Sequence, residues 1–267
     1  MRDVEQETPL IVCRNVGKTF ETNLAPVVAL DGVDLKVDRG EFVVFLGPSG
    51  CGKSTLLYLI AGLEAITTGA IESGGALVKG PGADRGLIFQ ESSLFPWLTV
   101  GENVTFGLKL QGVALRERRA IAADLLRKVG LADAAEKRPD QLSGGMRQRA
   151  AMARALSLRP EVLLLDEPFA ALDVQTRAKM QNVLLDVWRD SGASMLFVTH
   201  HIEEAVGLAD RVVVFTARPG RIKSVVPIDL PRPRDPRAQE FRDLSDHLTD
   251  LLRDEVDRAF AEQERVS

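Results

Sequence analysis

The sequence predicts an α/β fold built on a mainly parallel sheet, and three observations carry that reading. The apolar run Phe42-Val43-Val44-Phe45-Leu46 leads through a glycine-rich loop into a helical stretch beginning Leu56-Leu57-Tyr58. Continuous apolar runs recur at 162–165, 195–198 and 212–215, as in strands buried on both faces. Helical stretches alternate with those runs, and strand–helix alternation around such a loop means parallel strands.

The first residues, 1–8, are acidic and lack an apolar core, so no signal peptide is expected. Short β-type stretches at 10–12, 27–30 and 33–37, separated by turn residues, suggest a small antiparallel sheet ahead of the loop. Phe20 lies among them. A core position is the usual fate of Phe, and stacking on a purine is the other use of its ring. Gly47-Pro48-Ser49-Gly50-Cys51-Gly52-Lys53-Ser54-Thr55 then fills every fixed position of a phosphate-binding P-loop, in the strand–loop–helix context it requires. Its glycines let backbone N–H groups surround an anion, and the helix start adds its positive dipole end. Lys53 can reach β- and γ-phosphates, and Ser54 can ligate Mg²⁺.

Residues 69–82 hold several glycines and read as turns. Gly86-Leu87-Ile88-Phe89-Gln90 is a short apolar run ending in an amide, followed by Leu94-Phe95-Pro96-Trp97-Leu98. Trp97 is either a packed residue or, if exposed, an anchor for a partner. Residues 113–131 read as a helix with Ile121, Leu125, Leu126 and Val129 on one stripe. Leu142-Ser143-Gly144-Gly145-Met146 opens the next helix, stopped before Pro160. By itself Ser143 reads as an N-cap. The run 162–165 ends in Asp166-Glu167-Pro168, carboxylates at the end of a strand where open α/β sheets bind ligands. There an Asp can serve Mg²⁺ and a Glu can polarise water.

A helix over 178–188 and the strand 195–198 follow, the strand ending in Thr199-His200-His201. Alternation along an extended segment sends the two histidines in different directions. His201 falls near an N-cap, with Glu204 placed for a capping box. Residues 227–236, rich in Pro and Arg, read as a linker. Phe241, Leu244, Leu248, Leu251, Leu252, Val256 and Phe260 then keep helical spacing, so a tail helix packs on the body or on another subunit.

At 267 residues one large domain is a reasonable expectation. A net charge of −4 argues against a general nucleic-acid binder. Two cysteines, Cys13 and Cys51, make no disulfide framework and fit a reducing cytoplasm. No apolar run is long enough to span a bilayer, so a membrane role must come through a partner.

Taken together and in this order, the motifs resemble the ATP-binding subunit of ABC transporters, from about residue 10 to 228. The resemblance implies a P-loop NTPase core, an N-terminal antiparallel β subdomain, and a helical subdomain inserted at about 92–160. It implies an ABC ATPase domain over 1–230 and a Pro/Arg linker with a C-terminal helix over 231–267. Its nucleotide site comprises Phe20, in the place of the adenine-stacking aromatic, with Gly47, Pro48, Ser49, Gly50, Cys51, Gly52, Lys53, Ser54 and Thr55. Ser54, Gln90 and Asp166 hold Mg²⁺, and Glu167, His200, Gln90 and Lys53 serve hydrolysis.

Ser143, Gly144 and Gly145 match the signature that meets the γ-phosphate bound by a second protomer, and Ala171-Leu172-Asp173 the D-loop at the dimer interface. The resemblance implies a homodimer closing on ATP, integral-membrane permease subunits, and a periplasmic or extracellular substrate-binding protein engaged indirectly. Its location would be peripheral, on the cytoplasmic face of the cell membrane. Met146 departs from the commoner Gln, and His201 stands where many relatives have Asp.

Gly80-Pro81-Gly82-Ala83-Asp84-Arg85-Gly86, Phe95-Pro96-Trp97-Leu98 and Ala217-Arg218-Pro219-Gly220-Arg221-Ile222 are similar to taurine, alkanesulfonate and nitrate importers, the first most like the taurine type. Non-transport ABC ATPases of DNA repair carry long coiled coils, and translation types carry two cassettes. Neither feature is present here. A GTP switch wants an Asn-Lys-x-Asp motif, which is absent.

Overall fold

The computed structural model describes residues 8–23, 25–170 and 172–266, with side chains to residue 261. Ala171 of the D-loop motif lies outside the described residues. The chain divides into two compact units, one formed by Met1–Pro81 with Ser194–Ser267, the other by Gly82–Ala193.

The first unit opens with β1 (Ile11–Phe20), β2 (Val27–Val37), β3 (Phe42–Leu46), α1 (Lys53–Ala61), β4 (Thr68–Ser73) and β5 (Ala76–Leu77). The second runs through β6 (Arg85–Ile88), α2 (Val100–Val104), α3 (Phe106–Leu110), α4 (Leu115–Lys128), α5 (Gly144–Ser157), β7 (Val162–Asp166) and α6 (Val174–Ser191). The chain then returns to the first unit with β8 (Ser194–Thr199), α7 (Ile202–Leu208), β9 (Arg211–Phe215), β10 (Ile222–Pro227) and α8 (Gln239–Val266).

In the first unit β1, β2, β4 and β5 form the expected antiparallel sheet, in the order β2-β1-β4-β5. Two local readings change. The stretches 27–30 and 33–37 are one strand, because Gly32 (φ 64) absorbs a register shift instead of ending it. The glycines of 69–82 do not mark turns alone. Gly74 (φ 56) and Gly75 (φ 80) form the two-residue loop of a β4–β5 hairpin, where positive φ at both positions matches the strand twist.

The parallel part follows from sequence more directly. Strand β3 is buried throughout and lies parallel between β8 and β9, with Val43 opposite Leu196 on one side and Arg211 on the other. Antiparallel β10 extends this sheet beyond β9. Phe42 packs on Phe197 and Phe45 on Phe215, at centroid distances of 6.2 and 5.4 Å.

The tail belongs to this unit. Helix α8 packs on α7 and β9, burying Phe241, Leu248 and Leu252. Each such side chain is worth about 1.5–3 kcal/mol. Val256 and Phe260 continue the helical spacing but are exposed. The Pro/Arg stretch before α8 is tethered. Arg232 pairs with Asp210 at 2.8 Å, and Arg234 donates to the carbonyls of Val206, Ala209, Ile228 and Leu230.

In the second unit β6 and β7 are parallel, with Ile88 opposite Leu165. Helix α5 packs on β6 and against α2 and α4. Among the described residues, no helix is long and apolar enough to cross a membrane.

Candidate functional site

Strand β3 ends at Leu46 and the chain enters the glycine-rich loop. Gly50 (φ 76) and Gly52 (φ 100) hold left-handed backbone that a side chain would strain. A Cβ on Gly52 would also stand 2.7 Å from both Ala29 O and Leu30 Cδ2. Gly52 is the N-cap of α1, whose first turn has no acidic residue to oppose an anion. Lys53 is buried, and its Nζ donates to Gly47 O and Pro48 O, each at 2.8 Å. The loop is therefore curled around its own lysine. Pro48 is buried, Ser49 and Gly50 are exposed, and Ser54 and Thr55 are half-buried in the first turn. The Cys51 thiol is 1% exposed; burial pushes its pKa up, outweighing the ammonium of Lys53. It stays a neutral thiol at pH 7 and is no nucleophile.

Phe20 closes β1 and is 36% exposed. The ammonium of Lys18 stands 4.6 Å from its ring centroid, within cation–π range. The same Nζ donates to Ala65 O at 2.8 Å and Glu64 Oε2 at 3.0 Å. Sequence reading singles out the ring but not the lysine that fixes it.

Leu46 of β3 is register-paired with Thr199 of β8. The loop and His200 thus leave adjacent parallel strands at the same carboxyl edge, where open α/β sheets place ligands. His200 is exposed and His201 half-buried. The two rings do not diverge as alternation suggests. Their centroids are 4.2 Å apart, because the chain turns into α7 immediately after the strand. His201 is the N-cap residue, but its side chain caps nothing. The Thr199 hydroxyl instead accepts from His201 N at 3.0 Å, the bond a capping-box Glu204 would have taken, and donates to Glu204 at 2.6 Å. Glu204 is buried, drawn inward to Thr199 instead of back to the helix start.

The second unit repeats the edge arrangement. Strands β6 and β7 run parallel, so Phe89-Gln90 and Asp166-Glu167 leave the same edge. Asp166 is buried at the end of β7, and Gln90 is exposed. Glu167 has φ 43, left-handed backbone that a non-glycine residue adopts at a cost of about 1–3 kcal/mol. Such strain gathers at functional sites, and it falls on one of the residues singled out from sequence. Ser143 is the N-cap of α5, its Oγ accepting from Met146 N at 3.3 Å. A Cβ on Gly145 would meet Thr176 and Leu172 at 3.3–3.4 Å, whereas one on Gly144 would meet nothing within 4 Å. Asp173 caps α6, accepting from Gln175 N and Thr176 N at 3.0 Å. Those bonds, Thr176 first, hold its carboxyl below the ordinary range.

Trp97 is 67% exposed, which excludes the core reading. Its ring lies 5.5 Å from that of Phe95, which also meets Phe106 at 4.6 Å. Two residues not singled out from sequence hold this segment. Fully buried Asn103 accepts from Phe95 N at 2.7 Å and donates to the carbonyls of Phe95, Leu98 and Thr99. Arg154 donates to Ser93 O at 2.7 Å and Ser92 O at 3.3 Å, burial lowering its pKa. A lone Asn and one Arg among many carry no pattern that a sequence reading can use. A groove of about 800 Å³ in this unit is lined by Leu98, Phe106, Lys109, Leu115 and Arg118 among others.

Comparison with known proteins adds an independent line. A family profile described as "ABC transporter" matches residues 30–170. An uncharacterised ABC transporter ATP-binding protein of Methanocaldococcus jannaschii is 53% identical over 91% of this chain and 91% of its own length. The nitrate import ATP-binding protein NrtD of Synechocystis is 48% identical, covering 90% of this chain and 93% of its own. The taurine import ATP-binding protein TauB of Burkholderia pseudomallei is 49% identical, covering 83% and 85%. Among solved structures, a dimeric ATP-binding cassette in a post-hydrolysis state with ADP and Pi superposes with a TM-score of 0.74, at 32% identity over 83% of this chain and all of that one.

Proposed function

This chain belongs to the ABC transporter family and is an ATP-binding subunit that hydrolyses ATP, and we propose that it energises uptake of a small anion such as taurine, another alkanesulfonate or nitrate. The observation that carries the reading is the loop between β3 and α1, curled around Lys53 with its glycines in left-handed backbone. Importer subunits matched over most of their length favour this over a repair or translation ATPase.

In this reading residues 47–55 bind the phosphates and Phe20 stacks on adenine, its ring steadied by Lys18. Ser54, Gln90 and Asp166 offer hydroxyl, amide and carboxylate oxygens, hard donors of the type Mg²⁺ takes, so the donor set fits that ion. When bound, Mg²⁺ neutralises phosphate charge. Glu167 aligns the attacking water and His200 bridges to the γ-phosphate. Gln90 and Lys53 complete the catalytic set.

Ser143, Gly144 and Gly145 face the ATP held by a second copy of the chain. The open space around Gly144 supports this, because this chain's own packing gives no reason for glycine there. Asp173 stands at the same interface. Exposed Trp97 serves a helix of the permease, which engages a substrate-binding protein in turn. The cassette is then peripheral, on the cytoplasmic face of the membrane, and needs no nucleic acid. We assign the cassette to 1–230, its helical part to about 92–160, and the tail to 231–267.

Deleting the gene and supplying taurine, an alkanesulfonate or nitrate as sole sulfur or nitrogen source tests the substrate class. Growth should fail on one of them and return with the intact gene. Normal growth on all would reject the class.

A further inference from the structure

The turn joining β9 to β10, Thr216-Ala217-Arg218-Pro219-Gly220-Arg221, marks relatives in the sequence but has no role in the reading above. It is a built object. Thr216 N donates to Arg221 O, and the Thr216 hydroxyl accepts from Arg221 N and donates to Pro219 O, all at 3.0 Å. The turn meets the phosphate loop at two places. The Arg218 guanidinium donates to Gly50 O through Nε and Nη2 at 3.4 and 3.3 Å. Gly220 lies so close that a Cβ on it would stand 2.0 Å from Cys51 O. Gly220 is also pinned from β2, donating to Ala29 O at 2.9 Å and accepting from Asp31 N at 3.1 Å.

From the other side, the turn is held by the tail helix. Glu255 of α8 is 2% exposed, and its Oε2 accepts from Ala217 N at 2.9 Å. Its Oε1 accepts from Lys223 Nζ at 2.8 Å. A line of contacts therefore runs from α8 through Glu255, Ala217 and Arg218 to Gly50. It ends on Gly50, one of the two glycines that hold left-handed backbone in the loop.

We propose that this turn is a clamp on the phosphate loop, that Arg218 is a positioning residue for nucleotide binding, and that Glu255 sets Arg218 through the turn. The proposal rests on the reading of residues 47–55 as the phosphate site. Holding Gly50 O fixes the plane of the Gly50–Cys51 peptide, and with it the direction of the Cys51 N–H available to an anion. The guanidinium also places a cation beside the loop, in addition to Lys53 within it. The bland account is that the turn only closes a hairpin and Glu255 only anchors α8.

A double-mutant cycle on the full chain separates the two, read as the ATP dissociation constant, kcat and melting temperature. Arg218 is exposed, so Arg218→Ala should leave the melting temperature unmoved while weakening ATP about two- to tenfold, as for a modest hydrogen bond. Arg218→Lys should recover part of that. Glu255→Ala should weaken ATP similarly, and the double variant should be no weaker than Arg218→Ala alone. Where Glu255→Ala does not fold, Glu255→Asp keeps the charge but falls one methylene short of Ala217, and should behave alike. Unchanged affinity in Arg218→Ala, or losses that multiply in the double variant, would overturn the clamp. Lys53→Ala is run beside them: if it leaves ATP affinity intact, the phosphate-loop reading falls and takes the clamp with it.

Discussion

Lys53 and His201 show how far single residues can be read. The motif alone places Lys53, and the fold buries it inside the loop it serves. Lys53→Ala should weaken ATP roughly ten- to a hundredfold, since a charge-assisted contact is worth about 1.5–3 kcal/mol. Calorimetric titration reads this directly, and unchanged affinity would count against the loop. His201 is legible as a helix start but not in what its ring does. Capping depends on side-chain geometry in three dimensions, and the His201 side chain makes no cap bond while its N–H is held by Thr199. Because the His201 side chain makes no cap bond, His201→Asp should stabilise the fold by roughly 0.5–1 kcal/mol and preserve activity. Urea denaturation checks it; a loss of stability would mean that the ring pair with His200 matters more than the cap.

At the scale of elements, strands buried on both faces are the most legible, because continuous apolar runs such as 42–46 and 195–198 are too short for a buried helix and too apolar for a solvated edge. Glycine-rich segments are the least legible. Gly32 lies inside a strand and Gly74-Gly75 inside a hairpin, and only the backbone angles distinguish these from a chain break. The segment 89–99 gains its organisers only in three dimensions. Asn103→Ala should cost about 2–4 kcal/mol, since Phe95 N and Leu98 O both lose the bond that the buried amide gives them. A melting curve close to wild type would show the segment to be held otherwise. Trp97→Ala, by contrast, should leave the isolated cassette's ATPase intact and weaken coupling to the permease, because the ring is exposed. Equal loss of both would remove Trp97 from the partner surface.

For helix α8 the pH dependence has a definite sign. Burial alone would raise the Glu255 carboxyl, but Lys223 and the Ala217 N–H outweigh it and hold it below the ordinary range. A depressed carboxyl stabilises the fold above its unfolded pKa, and that stability is lost as pH falls through the folded value. Glu255→Gln should therefore flatten the acid side of the stability profile and lower its neutral and alkaline side by a constant amount, leaving the slope there unchanged. An unchanged acid side would show that the carboxylate contributes nothing there.

For the whole molecule, the order of motifs along the chain says more than any one of them. P-loop, glutamine, signature, acidic pair and histidine each have bland readings, as an N-cap for Ser143 and Asp173 proves to be in part. Their capping bonds are compatible with a place at a dimer interface, since Ser143 Oγ accepts one capping bond and Asp173 takes both of its capping bonds on Oδ1 alone. What the sequence could not supply is the tail's attachment: Glu255 and the arginines before α8 look like any charged surface until their partners are seen.

In the proposed mechanism two copies of this chain enclose ATP, and Glu167 is required to hydrolyse it. The most direct measurement is turnover and sedimentation of Glu167→Gln with ATP and Mg²⁺. That substitution keeps the side chain's size and removes the carboxylate that aligns water. The variant should bind ATP, fail to turn it over, and sediment as an ATP-bound dimer that wild type forms only transiently. Wild-type turnover in Glu167→Gln, or a monomer at saturating ATP, would contradict the account.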